Sequence, residues 1–370
     1  MANGREEIAA PMTHPNPTRR QAALQVGAGA LTLSAPGWAA AQDEKPLQRI
    51  AFGSCARQNK PQPIWDHVLA ATPDLFVFLG DNVYGDTDDP AELQAKYAML
   101  ASKPGFQKLR AAVPIRAIWD DHDYGRNDSG RENPMKDASR AIFCDFFGEP
   151  EGSPRRTQEG GIYGAWVFGP PGQRVQLILP DLRWNRTPVK SRFGYVGLAG
   201  AYIAGAVLPK AGFGGSYRPQ RGPGAELLGP AQWAWLEAQF QVPADLRVIG
   251  SSLQVLSLGT GWEAWDQFPD EAERLIGLIG SAPNTVLISG DVHYGELTRL
   301  DREGAAPLWD VTSSGLTETW PNLPPNKRRV SAYKGRSFGL LEIDWTAKQV
   351  NAQVRDEEGG VRLSQAIAFG

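Results

Sequence analysis

Asp81, Tyr84, Asp291 and His293 stand at the exits of two turns built alike, far apart in the chain. Leu75-Phe76-Val77-Phe78-Leu79 runs into Gly80-Asp81-Asn82-Val83-Tyr84, and Val286-Leu287-Ile288 runs through Ser289 into Gly290-Asp291-Val292-His293. Each is an apolar run, a Gly-Asp pair, and then a residue type that ligates metals. A buried strand that ends in a carboxylate is costly unless that charge is paired or coordinated. Two more apolar runs end in the same way. Ile50-Ala51-Phe52-Gly53-Ser54 leads to Cys55, and Ile118-Trp119 leads to Asp120-Asp121-His122-Asp123. Of the four histidines, His14 lies near the N-terminus and His67 in a helix-period stretch, where a surface or half-buried role is expected. The other two, His122 and His293, both fall in these acidic turns.

The ligand types divide by hardness. Thiolate, phenolate and imidazole (Cys55, Tyr84, His293) suit a trivalent or soft transition ion such as iron. Asp81, Asp121 and Asp291 offer hard oxygens that suit Ca²⁺, Mg²⁺ or Mn²⁺, and Asp81 is placed to serve both kinds. Two ions about 3.5–4 Å apart can clamp the oxygens of an in-line displacement and acidify water, the chemistry of phosphoester hydrolysis.

Such residues need strands to carry them. Apolar runs predict strands over Arg49–Ser54, Leu75–Leu79, Ile115–Trp119, Gly164–Phe168, Val175–Leu179, Leu246–Gly250, Thr285–Ser289, Leu297–Leu300, Leu308–Thr312, Phe338–Asp344 and Gln349–Arg355. Between them, Ile64–Ala71, Ala91–Ser102, Ser139–Phe147, Pro230–Phe240 and Asp270–Gly280 have helical spacing, with Leu93, Tyr97 and Leu100 on one face of the second. Pro90 and Pro230 sit at helix starts, where a missing N–H does no harm. The alternation predicts an α/β fold, a layered αββα sandwich of two mixed β-sheets flanked by helices. In α/β sheets, ligand sites form beyond the carboxyl ends of strands, where all four polar turns lie.

The 370 residues, 42% of them hydrophobic, suffice for one sizeable domain, expected over residues 47–370. A formal charge of −3, with no basic run longer than Lys327-Arg328-Arg329, argues against a nucleic-acid-binding surface. Residues 1–41 have the pattern of a twin-arginine-type signal peptide. Thr18-Arg19-Arg20-Gln21 precedes an Ala/Leu/Gly stretch from Ala22 to Ala35, then Pro36, and Ala39-Ala40-Ala41 offers a cleavage site before Gln42. Periplasmic or secreted localisation and engagement of the export machinery follow as expectations. The stretch is too short and Gly-rich to span a bilayer comfortably, so cleavage is expected rather than anchoring. The two cysteines are not expected to pair: Cys55 ends a strand, and Cys144, in an apolar helical stretch, is expected in the core. Gly-rich residues 191–227 predict a substrate lid or local disorder, and Trp320–Lys334, with three prolines, an irregular excursion.

Taken together, these residues resemble the alkaline phosphatase D (PhoD-like) family of the calcineurin-like metallophosphoesterases. The resemblance rests on five motifs in order: Phe52-Gly53-Ser54-Cys55, Gly80-Asp81-Asn82-Val83-Tyr84-Gly85-Asp86, Trp119-Asp120-Asp121-His122-Asp123, Leu228-Gly229-Pro230-Ala231-Gln232-Trp233-Ala234-Trp235-Leu236, and Gly290-Asp291-Val292-His293. It implies Fe³⁺ held by Cys55, Asp81, Tyr84 and His293. It also implies one or two Ca²⁺ ions, with Asp81, Asp121 and Asp291 as ligands and His122 touching the phosphate or protonating the leaving oxygen. The family's β-sandwich domain ahead of the catalytic one is not expected, because few residues separate the cleavage site from the first catalytic strand. A family motif resembling Leu-Asp-Thr-Arg stands here as Leu179-Pro180-Asp181-Leu182-Arg183. Arg183 is a candidate to hold phosphate by bidentate hydrogen bonds, or else to form a structural salt bridge with Asp181 or Asp310. The polar run Asp123-Tyr124-Gly125-Arg126-Asn127-Asp128 offers material for a second Ca²⁺ site.

The expected activity is thus hydrolysis of phosphate monoesters, diesters or phospholipid head groups. Residues 185–227 and 320–335 would shape the substrate, and Trp184, Tyr195, Phe213, Tyr217 and Trp320 are candidates to pack on it. One rival is a hydrolase with Cys55 as nucleophile and a histidine as base, which leaves Asp81, Tyr84 and Asp291 idle. Another is a binding protein that retains the fold. A serine hydrolase is disfavoured by the absence of a Gly-x-Ser-x-Gly elbow.

Overall fold

The computed structural model describes residues 45–191, 200, 203, 214–282 and 284–370. The expected signal segment and most of the predicted lid, with Tyr195 and Phe213, lie outside the described residues.

Strand β1 (Arg49–Gly53) pairs in parallel with β2 (Leu75–Leu79), which pairs in parallel with β3 (Ile115–Ile118). On its other side β1 runs antiparallel to β13 (Ser337–Asp344), followed by β14 (Gln349–Asp356) and β15 (Val361–Ala368) in a six-stranded sheet. The second sheet has a parallel centre of β5 (Val175–Leu179), β8 (Leu246–Ser251), β9 (Thr285–Ser289) and β11 (Ala305–Ser313). Antiparallel β4 (Gly164–Phe168) closes one edge, and β10 (Gly295–Arg302) with β12 (Arg329–Tyr333) the other. Lys190–Ser191 (β6) and Tyr217–Arg218 (β7) form a separate short hairpin.

Side chains alternate across a strand with period two, and the core divides accordingly. Val286 and Ile288 of β9 join the cluster between the sheets, while Leu287 joins the cluster beneath helices Pro230–Gln239 and Pro269–Gly280. Ile178 and Ile249 repeat that pattern on β5 and β8. On the far side, Phe76 and Phe78 of β2 face Trp65 of helix Ile64–Ala70 and Phe106 of helix Pro104–Ala112. The sheets approach closely: a Cβ at Gly250 would lie 2.6 Å from a Leu179 methyl and 2.9 Å from one of Leu79. The result is the expected αββα sandwich. Among the described residues, no helix is long and apolar enough to cross a membrane.

Every predicted strand and helix is present. The helix Pro104–Ala112 is an addition, with Pro104 at its start and Phe106 and Leu109 as its buried face, and two added strands have weak sequence signals. β15 leaves most of its residues exposed or half-buried, so it carries no apolar stripe to read. The excursion predicted over Trp320–Lys334 is corrected in its last third: β12 pairs antiparallel with β10 through Ala332 and Tyr333. Its residues are exposed or half-buried too, so backbone hydrogen bonds rather than burial define it.

Candidate metal centre

Close backbone packing explains the two Gly-Asp turns. Gly80 has φ +96°, and a Cβ there would fall 2.4 Å from Asp120 Cβ. At Gly290 a Cβ would fall 2.6 Å from Ser54 Oγ and 2.9 Å from the Leu79 carbonyl oxygen. Both glycines let neighbouring strand exits press together, and the aspartates that follow are delivered to one place. Backbone bonds from Cys55 to the Gly80 carbonyl (3.3 Å) and from Ala56 to that of Asp81 (2.8 Å) fasten the ends of β1 and β2. The residues so delivered are strained. Cys55, Asp81, Asp291 and His293 all have φ between 50° and 73°, as does Asp128, and Asp86 has φ 49°. Such backbone costs about 1–3 kcal/mol per residue and clusters at functional sites.

The four exits converge. Cys55 Sγ lies 3.3 Å from Asp81 Oδ2, and Tyr84 Oη lies 3.0 Å from His293 Nε2. One ligand atom each from Cys55, Asp81 and His293 lies within 4.8 Å of the others, as do those of Asp81, Asp121 and His122, and those of Asp120, Asp121 and Asp291. The acidic turn divides its labour. Asp123 is scaffold: it accepts the backbone N–H groups of Asn82, Val83 and Asp120 and the Tyr97 hydroxyl. Asp120 faces inward to Arg183 Nε (2.6 Å) and Ser252 Oγ (2.7 Å). Asp121 and His122 face a cavity of about 110 Å³, shared with Asp81, Asp291 and His293. His122 Nδ1 lies 2.7 Å from Asp86 Oδ1, which fixes the ring.

The donor set fits cations. Asp81 Oδ1 is buried without a hydrogen-bond partner, a costly state for a carboxylate oxygen unless an ion takes it. Burial pushes the Cys55 thiol, the Asp81 and Asp291 carboxyls and the Tyr84 phenol well above their ordinary values. Burial also lowers His293 to about 4. Burial opposes the charged ring of His122 as well, but Asp121, Asp81 and Asp86 prevail and carry it up to about 11. Burial works to raise Asp121, yet His122 and Arg183 hold its carboxyl below the usual carboxylate range. Metal binding requires deprotonated ligands, and bound cations would reverse the upward shifts.

Two expectations are corrected. Arg183 does not reach the cavity. Its fully buried guanidinium lies behind Asp120 (2.6 Å) and Glu263 (2.9 Å), so it cannot grip phosphate, and its salt-bridge partners are neither Asp181 nor Asp310. Of the candidate substrate aromatics, Trp184 stacks on Trp119 and lies against Arg140, and Tyr217 is buried with its hydroxyl bonded to Asp128. Trp320 does line the cavity. Cys55 is fully buried and does not line it, and its raised pKa is the opposite of what a nucleophilic thiolate needs.

Glu263 has no warning in the sequence. It lies in a loop, its carboxylate within 4.8 Å of those of Asp121 and Asp128, and is held by Arg183 and Arg186. Only the fold brings these acids together. A buried arginine pair predicted from sequence would have been the one usable hint.

A two-sheet sandwich with an acidic and histidine cluster at its strand exits that could hold metal ions is the arrangement of a metal-dependent phosphoesterase. The family model described as PhoD-like phosphatase matches residues 50–354, and the chain belongs to that family. No curated protein matches the sequence. Among solved structures, one titled as the structure of PhoD is 17% identical with a TM-score of 0.67, over 89% of this chain and 70% of that one. A dimetal phosphatase from Danio rerio is 14% identical with a TM-score of 0.54, over 88% and 100%. A purple acid phosphatase from yellow lupin seeds is 11% identical with a TM-score of 0.56, over 88% and 55%. At these identities the likeness is one of fold.

Proposed function

We propose that the chain is an exported phosphoesterase with an Fe–Ca type centre, acting on phosphate monoesters, diesters or both. The observation that carries this is the arrangement around Asp81. It clusters with Cys55 and His293, the latter reached by Tyr84 Oη, and separately with Asp121, which in turn clusters with Asp291. Cys55, Asp81, Tyr84 and His293 would hold Fe³⁺. Asp81, Asp121 and Asp291 would hold one Ca²⁺, and Asp121, Asp128 and Glu263 offer a place for another. When bound, such ions supply positive charge to the ester oxygens and acidify water. The protein's own part is to exclude bulk solvent from the buried donors and to deliver a proton. Asp86 holds His122 at Nδ1, so that Nε2 is the nitrogen that donates to the leaving oxygen. His122→Gln is expected to lower kcat about 10²–10⁴-fold, the usual worth of a general acid. Asp86→Asn is expected to give a smaller loss with the same pattern across substrates, measured by steady-state kinetics.

Metal analysis of the purified protein, coupled to monoester and diester assays, tests the whole reading. Iron with calcium, a visible tyrosinate or thiolate charge-transfer band, and activity lost to chelators are expected. A colourless, iron-free and fully active protein would overturn the metal assignment. Iodoacetamide applied with the ions bound should spare activity, whereas a Cys55 nucleophile would be inactivated. Export is tested by fractionation and by the mature N-terminus, expected at Gln42.

A further inference from the structure

Beside its carboxylates and histidines, the cavity has apolar lining. Trp262, Trp320, Val292 and Pro324 line it, and among the described residues no lysine or arginine does. Four cations near it are already committed. Arg183 and Arg186 are fully buried against Glu263, and Arg57 lies 3.9 Å over the Tyr84 ring and pairs with Glu318. Lys60 pairs with Glu318 as well.

The two tryptophans are set in place by the backbone around them. A Cβ at Gly215 would fall 2.6 Å from the Trp262 ring and 2.1 Å from the Gly261 carbonyl oxygen, so the indole lies against a segment that tolerates no side chain. The backbone N–H of Trp262 bonds to Thr260 Oγ1 at 3.1 Å. The backbone N–H of Trp320 bonds to the His293 carbonyl at 2.9 Å, which ties this ring to one of the proposed ligands.

We infer that the substrate carries a single phosphate, and that the group esterified to it is uncharged, with a flat or apolar face seated on Trp262 and Trp320. This rests on the reading of the cavity as a phosphoester site. The acidic half repels anions unless ions are bound, and those ions neutralise only the phosphate they touch. A second anionic group would find no lysine or arginine among the described lining residues. It would find only the neutral Asn127, Gln254 and Thr260 beside indole, Val292 and Pro324, with Asp128 and Glu263 close by, and would lose more hydration than those neutral groups return. An aromatic face would gain stacking and burial instead.

The test uses the metal-loaded protein and three non-hydrolysable probes, with binding read by titration calorimetry. Benzylphosphonate is expected to bind about tenfold tighter than ethylphosphonate, within the usual worth of stacking on an aromatic side chain. 4-Carboxybenzylphosphonate is expected to bind at least about tenfold more weakly than benzylphosphonate, because its carboxylate goes unpaired. In Trp262→Ala and in Trp320→Ala the benzyl-to-ethyl ratio should fall towards one, while Trp262→Phe, which keeps a ring, should retain most of it. Equal binding of benzyl and ethyl probes, a ratio unmoved in both alanine variants, or tight binding of the carboxylated probe would each overturn the inference. Failure to bind any of the three would do so too. Expected binding without hydrolysis of any phosphate ester would instead sink the proposed activity and leave the binding preference standing.

Discussion

Asp81→Asn should remove activity by on the order of 10³-fold or more, because the shared carboxylate contributes to both proposed ions and each supplies several kcal/mol. Iron and calcium contents should fall together, and this distinguishes a bridge from a ligand to one ion. Loss of only one metal would refute the bridging role. The same substitution should act in the opposite direction on the metal-free protein. There Asp81 is a buried carboxyl with an unpartnered oxygen, crowded by Asp120, Asp121 and Asp123. An isosteric amide relieves that crowding, so metal-free Asp81→Asn should melt no lower than the metal-free parent. Stability given up to hold a site is commonly recovered when the site is removed.

Arg183→Met is expected to be the most destabilising change near the centre, at about 3–5 kcal/mol, because it leaves buried acids without their cation. Asp120 and Glu263 both depend on it, with side chains 1% and 4% exposed. Denaturant unfolding of parent and variant measures the loss. Arg183→Lys keeps the charge but not the fork that serves both acids, and should fall between the two. If Arg183 gripped phosphate, Arg183→Met would raise KM and inhibition constants for phosphate while leaving the unfolding midpoint in place. The buried geometry forecasts the reverse.

What could be read from the chain, and what could not, follows from how each residue is placed. The convergence of Cys55, Asp81, Tyr84, Asp121, Asp291 and His293 was foreshadowed because each lies at or shortly past the exit of an apolar run, where a polar group is conspicuous. The αββα layering was visible for the same reason, since runs such as Val286–Ile288 are apolar throughout and so must be covered on both faces. Arg183 was misread because a sequence motif places a side chain at a strand end but not its direction. Its guanidinium is held by two acids 63 and 80 positions away, behind the cavity lining. Glu263 was invisible because its meaning lies in Arg183, Arg186 and Asp128, none of which is near it in the chain. β15 was missed because a half-exposed edge strand has little apolar pattern to show.

The pairing of β1 with β13 sets an order on the life of the molecule. Cys55 stands just past the end of β1, yet β1 gains its antiparallel neighbour only when residues 337–344 exist. Thr317 N–H also bonds to the Cys55 carbonyl, and Leu316 N–H to that of Ser54. On a ribosome, the strand leading to the earliest ligand therefore waits for nearly the whole chain to emerge, with one edge unpaired in the meantime. Contacts of such long range form slowly, and unpaired strand edges invite aggregation. Truncation before β13 removes none of the proposed metal ligands, but it should yield a chain that neither retains metal nor stays in solution.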